Sequence, residues 1–526
     1  MGVSTIRPVR PVRPVRGVPV PAEPTPAPPA PEGGVEHLDV LIVGAGVSGI
    51  GAARYLAAEL PHKRFAVLEA RADCGGTWDL FRYPGVRSDS DLYTFGYAFK
   101  PWRHRESLAD GGQILAYLRE TVEEHGLRER VRCHRRVVGA SWSSAEARWT
   151  VEVEHTDTGG RSTLTCGWLF GATGYYRYDR GHTPEFAGRE RYTGTVVHPQ
   201  HWPADLDHTG RRVLVIGSGA TAVTLVPALA DRAAHVTMLQ RTPTYVMPVP
   251  RRDAAAELLR RLFGEERGHA LARRKNIARQ RLIWSFCRRY PGAARRLIRR
   301  VNSRLLPAGY PVDEHFAPPY DPWEQRLCAV PDGDLFRALR EGRASVATDR
   351  VRSFTERGVL LESGREVEAD LVVTATGLEL QLFGGVRLLV DGEPVDVAGA
   401  VAFKGVMLSG VPNFAYAIGY TNASWTLKVD LLGAHLCRLL AHMDRHGQRI
   451  CRPEVADPAM PVRPLLDFAA GYVRRAVDVL PRQGDRGPWR GSAGYREDVR
   501  LLAVDRVTDP ELHFSPGAVP VPARVG

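Results

Sequence analysis

The stretch Asp39-Val-Leu-Ile-Val-Gly-Ala-Gly-Val-Ser-Gly49 indicates the start of a dinucleotide-binding fold. Its apolar half predicts a buried strand, and its glycines form a GxGxxG loop that leads into a helical segment ending near Leu60. Gly44 permits the tight turn, Gly46 lets the backbone approach a pyrophosphate, and Gly49 allows the helix to pack closely on the strand. The free amides and the dipole of the helix N-terminus then favour the phosphates.

The next apolar run, Phe65-Ala-Val-Leu-Glu69, completes a βαβ unit. Glu69 ends this run 20 residues after Gly49. A carboxylate at this distance accepts hydrogen bonds from the ribose hydroxyls of a bound dinucleotide. The strand, the loop spacing and the acidic residue all agree with a dinucleotide site. They argue against the alternative that the loop is a glycine turn that binds no nucleotide.

A second unit begins with the apolar strand Val213–Ile216 and the loop Gly217-Ser-Gly-Ala-Thr-Ala222. Its second strand, His235–Gln240, is followed by Arg241 and Thr242 without an acid. Arg241 can pair with a ribose 2′-phosphate, which favours NADPH over NADH, although an ordinary surface arginine remains the alternative. The residues predicted to bind this second dinucleotide are Gly217, Gly219, Thr221, Ala222, Gln240, Arg241 and Thr242. Two such units predict an α/β fold with two Rossmann-like domains.

The net charge of +12 is concentrated in one segment of the 526 residues. Residues 251–305 hold 17 arginines and lysines but four acidic residues, so the rest of the chain is near neutral. This distribution argues against a nucleic-acid-binding surface over the whole protein. Apolar residues recur at helical spacing in the segment, which therefore predicts either a helical cap over the substrate cleft or a face that contacts anionic lipid.

The seven cysteines form no CxxC pair and are odd in number. We therefore expect neither a disulfide framework nor a metal site, and a cytoplasmic location fits best. The N-terminus has no apolar core of a secretory signal. The two long uncharged runs, Val213 to Ala230 and Gly405 to Leu427, are interrupted by turn residues and do not predict a membrane span.

Two longer motifs resemble those of a known enzyme family. Gly75-Gly-Thr-Trp-Asp-Leu-Phe-Arg-Tyr-Pro-Gly-Val-Arg-Ser-Asp89 resembles GGxWxxxx[YF]P[GM]xxxD at every fixed position. Tyr192-Thr-Gly-Thr-Val-Val-His-Pro-Gln-His-Trp-Pro203 resembles FxGxxxHxxxW[PD], with Tyr192 where phenylalanine is usual. Both are motifs of the Baeyer–Villiger flavoprotein monooxygenases. Segments such as Arg87-Ser-Asp-Ser-Asp91, Asp321-Pro-Trp-Glu-Gln-Arg326 and Gly419-Tyr-Thr-Asn-Ala-Ser-Trp-Thr426 resemble the ethionamide-activating subgroup most.

The resemblance implies an NADPH-dependent flavin monooxygenase that binds FAD and uses O₂. Such enzymes insert oxygen into ketones, or oxygenate sulfides and thioamides, through a C4a-peroxyflavin. By the same resemblance, Arg326 is the catalytic arginine that stabilises the anionic peroxide, and Asp89 pairs with it at the flavin. Gln325 stands where many relatives have a lysine that contacts the 2′-phosphate. Further implied site residues are Gly76, Thr77 and Trp78 at the cofactor, and Gly194, His198 and Trp202 at the domain junction.

The predicted organisation has five parts. Residues 1–36, which open with a Pro-Val-Arg repeat, form a disordered tail. Residues 37–188 and 366–510 form the FAD-binding domain, residues 189–365 form the NADPH-binding domain with a helical insertion at about 251–307, and residues 511–526 form a C-terminal tail.

Three alternatives stay open at this point. A flavin disulfide reductase shares both nucleotide folds but needs a redox cysteine pair, and Cys74 stands alone. An N-hydroxylating or other flavin-containing monooxygenase would share most of the motifs. A membrane-surface adaptor without enzymatic activity would use the basic segment alone, and two complete cofactor motifs argue against it.

Overall fold

The computed structural model describes residues 34–325, 327–466, 471–492 and 494–517. Residues 37–526 belong to one compact unit. The predicted N-terminal tail lies, except for its last three residues, outside the described residues, as do Arg326 and the last nine residues of the C-terminal tail.

Two groups of strands form the main sheets. The strands of the described residues are β1 (Glu36–Val43), β2 (Phe65–Leu68), β3 (Val131–Arg132), β4 (Arg135–Ser143), β5 (Arg148–His155), β6 (Arg161–Gly171), β7 (Tyr176–Gly181), β8 (Thr195–Val197), β9 (Arg212–Ile216), β10 (His235–Gln240), β11 (Val246–Val249), β12 (Cys328–Pro331), β13 (Ala344–Thr348), β14 (Val351–Phe354), β15 (Gly358–Leu361), β16 (Glu366–Glu368), β17 (Leu371–Thr374), β18 (Leu378–Leu380), β19 (Arg387–Val390), β20 (Glu393–Pro394), β21 (Ala402–Phe403), β22 (Met407–Leu408), β23 (Phe414–Tyr416), β24 (Ile450–Pro453), β25 (Val462–Pro464), β26 (Arg482–Gly484) and β27 (Leu512–Ser515).

Helices cover the faces of these sheets and form one insertion. The α-helices of the described residues are α1 (Val47–Glu59), α2 (Thr77–Leu80), α3 (Leu92–Phe95), α4 (Gly111–Glu124), α5 (Ala220–Ala230), α6 (Ala254–Phe263), α7 (Glu265–Arg289), α8 (Pro291–Leu305), α9 (Val312–His315), α10 (Asp334–Arg340), α11 (Trp425–Arg445), α12 (Gly471–Arg475) and α13 (Tyr495–Asp498). None of them has both the length and the apolar composition needed to cross a bilayer.

The larger sheet carries the first glycine loop. Its strand order is β20-β19-β4-β5-β6-β1-β2-β3, with β23 paired to β6. The central strand β1 runs parallel to β2, and its Val40 and Ile42 are fully buried. The second half of β1, residues 40–43, is apolar and buried throughout, as expected of a parallel strand that is covered on both faces in an α/β layer.

The smaller sheet carries the second glycine loop. Its order is β13-β10-β9-β17-β8, and all four pairings are parallel. The predicted boundary at 366 assigns β17 to the FAD-binding domain, whereas the structure pairs β17 with β8 and β9. The pattern before residue 377 repeats the one before residue 174, and sequence alone does not tell which sheet such a strand joins.

The basic segment folds into α6, α7 and α8, as the helical spacing predicts. On its inner side, Arg273 forms a buried ion pair with Asp430 (2.7 Å) and donates to the carbonyl oxygens of Tyr93 and Gly96. Asn276 and Gln280 donate to the two carboxylate oxygens of Asp91 at 2.9 and 2.8 Å. Polar contacts therefore join α7 to α3 and to Asp91, which lies two residues after Asp89 in the sequence.

The stretch Pro481–Pro488, whose prolines and glycines favour a loop, contains a short strand in the structure. Residues 482–484 form β26, which pairs antiparallel with β25. The short sequence Arg-Gln-Gly has no alternating apolar pattern, so the pairing depends on tertiary contacts that a pattern cannot reveal.

Candidate functional site

Both glycine loops open onto one cavity of about 1530 Å³. Gly44 and Gly46 line it from the larger sheet, and Gly217 and Gly219 line it from the smaller sheet. The carboxyl ends of β1 and β9 thus meet the same space, where parallel α/β sheets place their ligands.

The first glycine of each loop is required by the protein's own packing. Gly44 and Gly217 have φ angles of +102° and +144°, which L side chains rarely adopt. A Cβ atom on Gly44 would lie 2.8 Å from the carbonyl oxygen of Ala172, and one on Gly217 would lie 2.2 Å from that of Ala375. Ala172 and Ala375 begin the matching Ala-Thr-Gly turns that follow β6 and β17, so the two units use the same local arrangement.

The second glycine of each loop is not required in this way. Gly46 and Gly219 have ordinary φ angles of −80° and −77°. A Cβ atom on Gly219 would meet no heavy atom within 4 Å, and one on Gly46 would approach only Gly76, at 3.6 Å. These positions keep open space in front of the N-termini of α1 and α5, where no side chain caps the helix. The space and the free amides fit the pyrophosphate of a dinucleotide at each loop.

The last residue of each loop serves helix packing. A Cβ atom on Gly49 would lie 1.9 Å from the carbonyl oxygen of Gly44, whereas Ala222 is fully buried in the second unit. Neither Gly49 nor Ala222 is among the described residues that line the cavity.

Glu69 closes the first loop from the end of β2. Its carboxylate accepts hydrogen bonds from the backbone N–H of Ala45 (2.8 Å) and of Arg71 (3.0 Å). Burial raises the pKa of Glu69, and the two backbone donors oppose this shift by stabilising the carboxylate. Glu69 also lines the cavity, so it both holds the loop and faces the space predicted for a ribose.

The first long motif lines the same cavity. Gly76, Thr77, Trp78 and Asp89 all contribute to the wall. Gly76 has a φ angle of +56°, and a Cβ atom on it would lie 2.9 Å from the Cα atom of Gly46, so the motif approaches the first glycine loop closely. Gln325 reaches this wall too, whereas its neighbour Arg326 lies outside the described residues.

The second loop brings most of its predicted residues to the cavity. Thr221, Arg241 and Thr242 line it, but Gln240 does not. The Gln240 side chain is buried and donates to the carbonyl oxygen of His315 (2.8 Å) and to Thr348 Oγ1 (2.9 Å). Arg241 is exposed and forms no ion pair with any carboxylate of the described residues, so its guanidinium is available to an anion.

The second long motif lies beside the cavity. His198 Nε2 donates to the carbonyl oxygen of Gly377 (3.1 Å), and His198 Nδ1 accepts from the N–H of Gln200 (3.2 Å). Because Nδ1 accepts a hydrogen bond, it carries no proton, and the two ring nitrogens have opposite roles; burial also lowers the pKa of His198. Gly377 lines the cavity and links β17 to β18. His198 therefore supports a cavity-lining turn, while Gly194 and Trp202 lie outside the lining among the described residues.

An aromatic wall was missed by the sequence reasoning. Tyr175, Tyr176, Trp425 and Tyr472 line the cavity, and the rings of Tyr175 and Trp425 stack with centroids 5.2 Å apart. Trp425 Nε1 also donates to Ser48 Oγ (2.8 Å) at the start of α1. Three distant segments supply these rings, and no single motif contains them.

The cysteines offer no redox pair. All seven are free, and Cys74, which lies next to the first long motif, is buried. Burial, assisted by the Asp73 carboxylate, raises the pKa of the Cys74 thiol to about 12, so it is not an activated thiolate. This environment argues against disulfide reductase chemistry at the cavity.

Comparisons with known proteins agree with this geometry. The sequence model of the pyridine nucleotide-disulphide oxidoreductase family matches residues 38–266. An FAD-containing monooxygenase, EthA of Mycobacterium tuberculosis, is 51% identical over 487 residues, which cover 92% of this chain and 99% of the relative. A solved steroid monooxygenase bound to NADP has 24% identity and a TM-score of 0.67, covering 79% of this chain and 87% of that one. A cyclohexanone-bound cyclohexanone monooxygenase has 21% identity and a TM-score of 0.67, covering 80% and 89%.

The fold is therefore that of a two-dinucleotide flavoprotein of the Baeyer–Villiger type. The chain belongs to the family of FAD-containing monooxygenases. The predictions of enzyme class and of FAD and NADPH as cofactors are confirmed.

Proposed function

We propose that this monooxygenase inserts one oxygen atom of O₂ into ketones, or oxygenates the sulfur of sulfides or thioamides. The main supporting observation is that both glycine loops open onto a single cavity that Asp89 and an aromatic wall also line. One such space allows the two cofactors and a substrate to meet. The cyclohexanone-bound relative of the same fold favours a ketone substrate, and the Tyr175 and Trp425 rings suit an apolar one.

The chain's own residues would hold the cofactors in place. Gly46 and the N-terminus of α1 would receive the FAD pyrophosphate, and Glu69 would accept from its ribose. Gly219 and the N-terminus of α5 would receive the pyrophosphate of NADPH, and Arg241 would pair with its 2′-phosphate. When bound, NADPH supplies the electrons and the flavin activates the oxygen.

We assign the catalytic role to Arg326 with support from Asp89. The guanidinium would stabilise the negative charge on the attacking oxygen and then the charge that develops on the substrate carbonyl oxygen. A preorganised contact of this kind is typically worth ~3–4 kcal/mol in the transition state. Asp89 would orient the guanidinium. Gln325, the residue before Arg326, lies in the cavity wall, and this placement supports the assignment.

Replacement of Arg326 tests the assignment. In Arg326→Ala we expect near-normal flavin content, because the residue does not hold FAD. Product formation should fall by on the order of 10²-fold or more, with NADPH consumption continuing and hydrogen peroxide released. Oxygenated product, NADPH loss and peroxide are measured together on a panel of ketones and sulfides.

The companion variant Asp89→Ala should show the same pattern more weakly, since it removes the orienting partner alone. If Arg326 made a structural ion pair instead, its loss would lower stability and flavin content together. A fully flavinated Arg326→Ala enzyme that oxygenates a ketone at nearly the normal rate would contradict the mechanism.

We also propose that residues 251–305 make a peripheral contact with the cytoplasmic face of a membrane. The strong positive charge of this segment supports the contact. The rival prediction, a helical cap over the substrate cleft, is disfavoured because none of the described residues that line the cavity comes from 251–305.

A further inference from the structure

The last turns of α7 and the residue that follows the helix expose an apolar group, the α7 patch, defined as Leu282, Ile283, Phe286 and Tyr290. The exposed fractions of these side chains are 70%, 44%, 39% and 56%. Leu282, Phe286 and Tyr290 follow one another at intervals of four residues, so they lie along one side of the helix end. The rings of Phe286 and Tyr290 are 6.1 Å apart. Adjacent exposed apolar side chains of this size are uncommon on a surface that has no partner.

A row of arginines runs beside this patch. Arg267, Arg274, Arg281 and Arg288 are seven residues apart, and a seven-residue step turns a straight helix by only ~20° from the previous position. All four are exposed, and none forms an ion pair with a carboxylate of the described residues. The row therefore presents uncompensated positive charge along almost the full length of α7.

The contacts of α7 differ from the usual arrangement of a surface helix. A surface helix normally buries apolar side chains and exposes polar ones. Here Arg273, Asn276 and Gln280 make buried polar contacts, whereas the apolar side chains of the α7 patch, nearer the C-terminal end of the helix, are exposed. These polar contacts fix the orientation of the helix and leave the α7 patch uncovered by the described residues.

We infer that the α7 patch and the arginine row together bind the surface of an anionic phospholipid bilayer. Apolar side chains enter the boundary between headgroups and acyl chains, while arginines pair with phosphates and anionic headgroups. A nucleic acid would be recognised by the arginines but would not need exposed Leu282 and Ile283. The inference rests on the proposed peripheral contact, to which it adds the side chains that make the contact.

Vesicle flotation with the flavin-loaded full-length enzyme tests this assignment. Vesicles of phosphatidylcholine alone are compared with equal mixtures of phosphatidylcholine and phosphatidylglycerol, at low and high salt. We expect binding to the anionic vesicles, weakened by salt because the arginine–headgroup attraction is screened. The double variant Leu282→Asp, Phe286→Asp should bind them at least ~10-fold more weakly, because two apolar side chains no longer leave water.

Matched variants separate the contributions. Val462→Asp replaces an equally exposed apolar residue on β25 and should bind as the unaltered enzyme does. The triple variant Arg274→Ala, Arg281→Ala, Arg288→Ala should lose its preference for anionic vesicles. Flavin absorbance confirms that each variant is folded, since none of these residues lines the cavity.

The possible outcomes are distinct. Binding to neither vesicle would overturn the peripheral contact itself and leave the monooxygenase assignment untouched. Equal binding to neutral and anionic vesicles would keep the contact but overturn the role of the arginine row. Unchanged binding of the Leu282→Asp, Phe286→Asp variant would overturn the role of the α7 patch. A lipid-free change in sedimentation mass in that variant would identify a second copy of the chain as the occupant instead.

Discussion

Arg241 is the residue that bears most directly on the choice between NADPH and NADH. In an NADH-binding unit the corresponding strand ends in an acidic residue. Here Arg241 follows that strand, and its guanidinium is exposed at the cavity. No carboxylate of the described residues pairs with it, so a 2′-phosphate would not have to displace an existing partner.

We expect Arg241→Ala to raise the KM for NADPH by ~10-fold or more, since it removes a charge-assisted contact. The KM for NADH should change little, because NADH has no phosphate at that position. Steady-state NADPH and NADH oxidation measure both values. Arg365→Ala serves as control because that side chain is exposed on a turn between β15 and β16. An unchanged preference for NADPH would assign the selectivity to another residue.

At the scale of the element, α7 shows how one helix can hold two neighbouring arginines in opposite environments. Arg273 is buried and pairs with Asp430, whereas Arg274 is exposed in the arginine row. Burial raises the pKa of Asp430 to about 6, and the Arg273 guanidinium opposes that shift. The pair joins α7 to α11 and to the backbone of α3.

This contrast predicts different costs for adjacent substitutions. Arg273→Ala should lower the free energy of unfolding by ~3–5 kcal/mol, since it leaves a buried carboxylate without its cation. Arg274→Ala should change it by ~0.5 kcal/mol or less. Urea unfolding of both variants, followed by flavin fluorescence and circular dichroism, measures the difference. Similar unfolding midpoints for the two variants would show that the Arg273 pair contributes little.

The elements with a strong local pattern were predictable, and those that depend on distant partners were not. The strand before Gly44 and the helix after it follow from apolar runs and glycine spacing, so β1 and α1 match the prediction closely. The membership of β17 in the smaller sheet and the pairing of β26 depend on contacts between remote segments. The same holds for the site: the motifs indicate the glycine loops, but Tyr472 comes close to Tyr176 only in the fold.

At the scale of the whole molecule, buried neutral histidines make stability depend on pH. His435 in α11 is buried, and its Nδ1 atom forms a hydrogen bond with the carbonyl oxygen of Leu502 (3.2 Å). Burial lowers its pKa from 6.5 to about 3, with the nearby Lys404 and Arg438 adding to the effect. Below pH 6.5 the unfolded chain therefore binds a proton that the folded chain does not, and stability falls as the pH falls.

From these values His435 alone should destabilise the fold by about 2 kcal/mol at pH 5 relative to pH 7.5. His435→Leu should remove that part of the pH dependence, and Arg438 still donates to the Leu502 carbonyl oxygen (2.6 Å) in the variant. Urea unfolding at both pH values tests this. His446→Leu, at an exposed position, should keep the full dependence. Identical pH slopes in all three proteins would contradict the assignment.

Natural selection should act differently on the two kinds of glycine in the cofactor loops. Gly44 and Gly217 are needed for the chain to fold, because any side chain there meets a backbone carbonyl. Gly219 has an ordinary backbone conformation and open space in front of it, so folding alone does not require it. In a descendant that abandoned catalysis but kept its fold, we therefore expect Gly217 to persist while position 219 drifts. The pattern of retained and lost glycines would then distinguish an inactive descendant from a working enzyme in an uncharacterised genome.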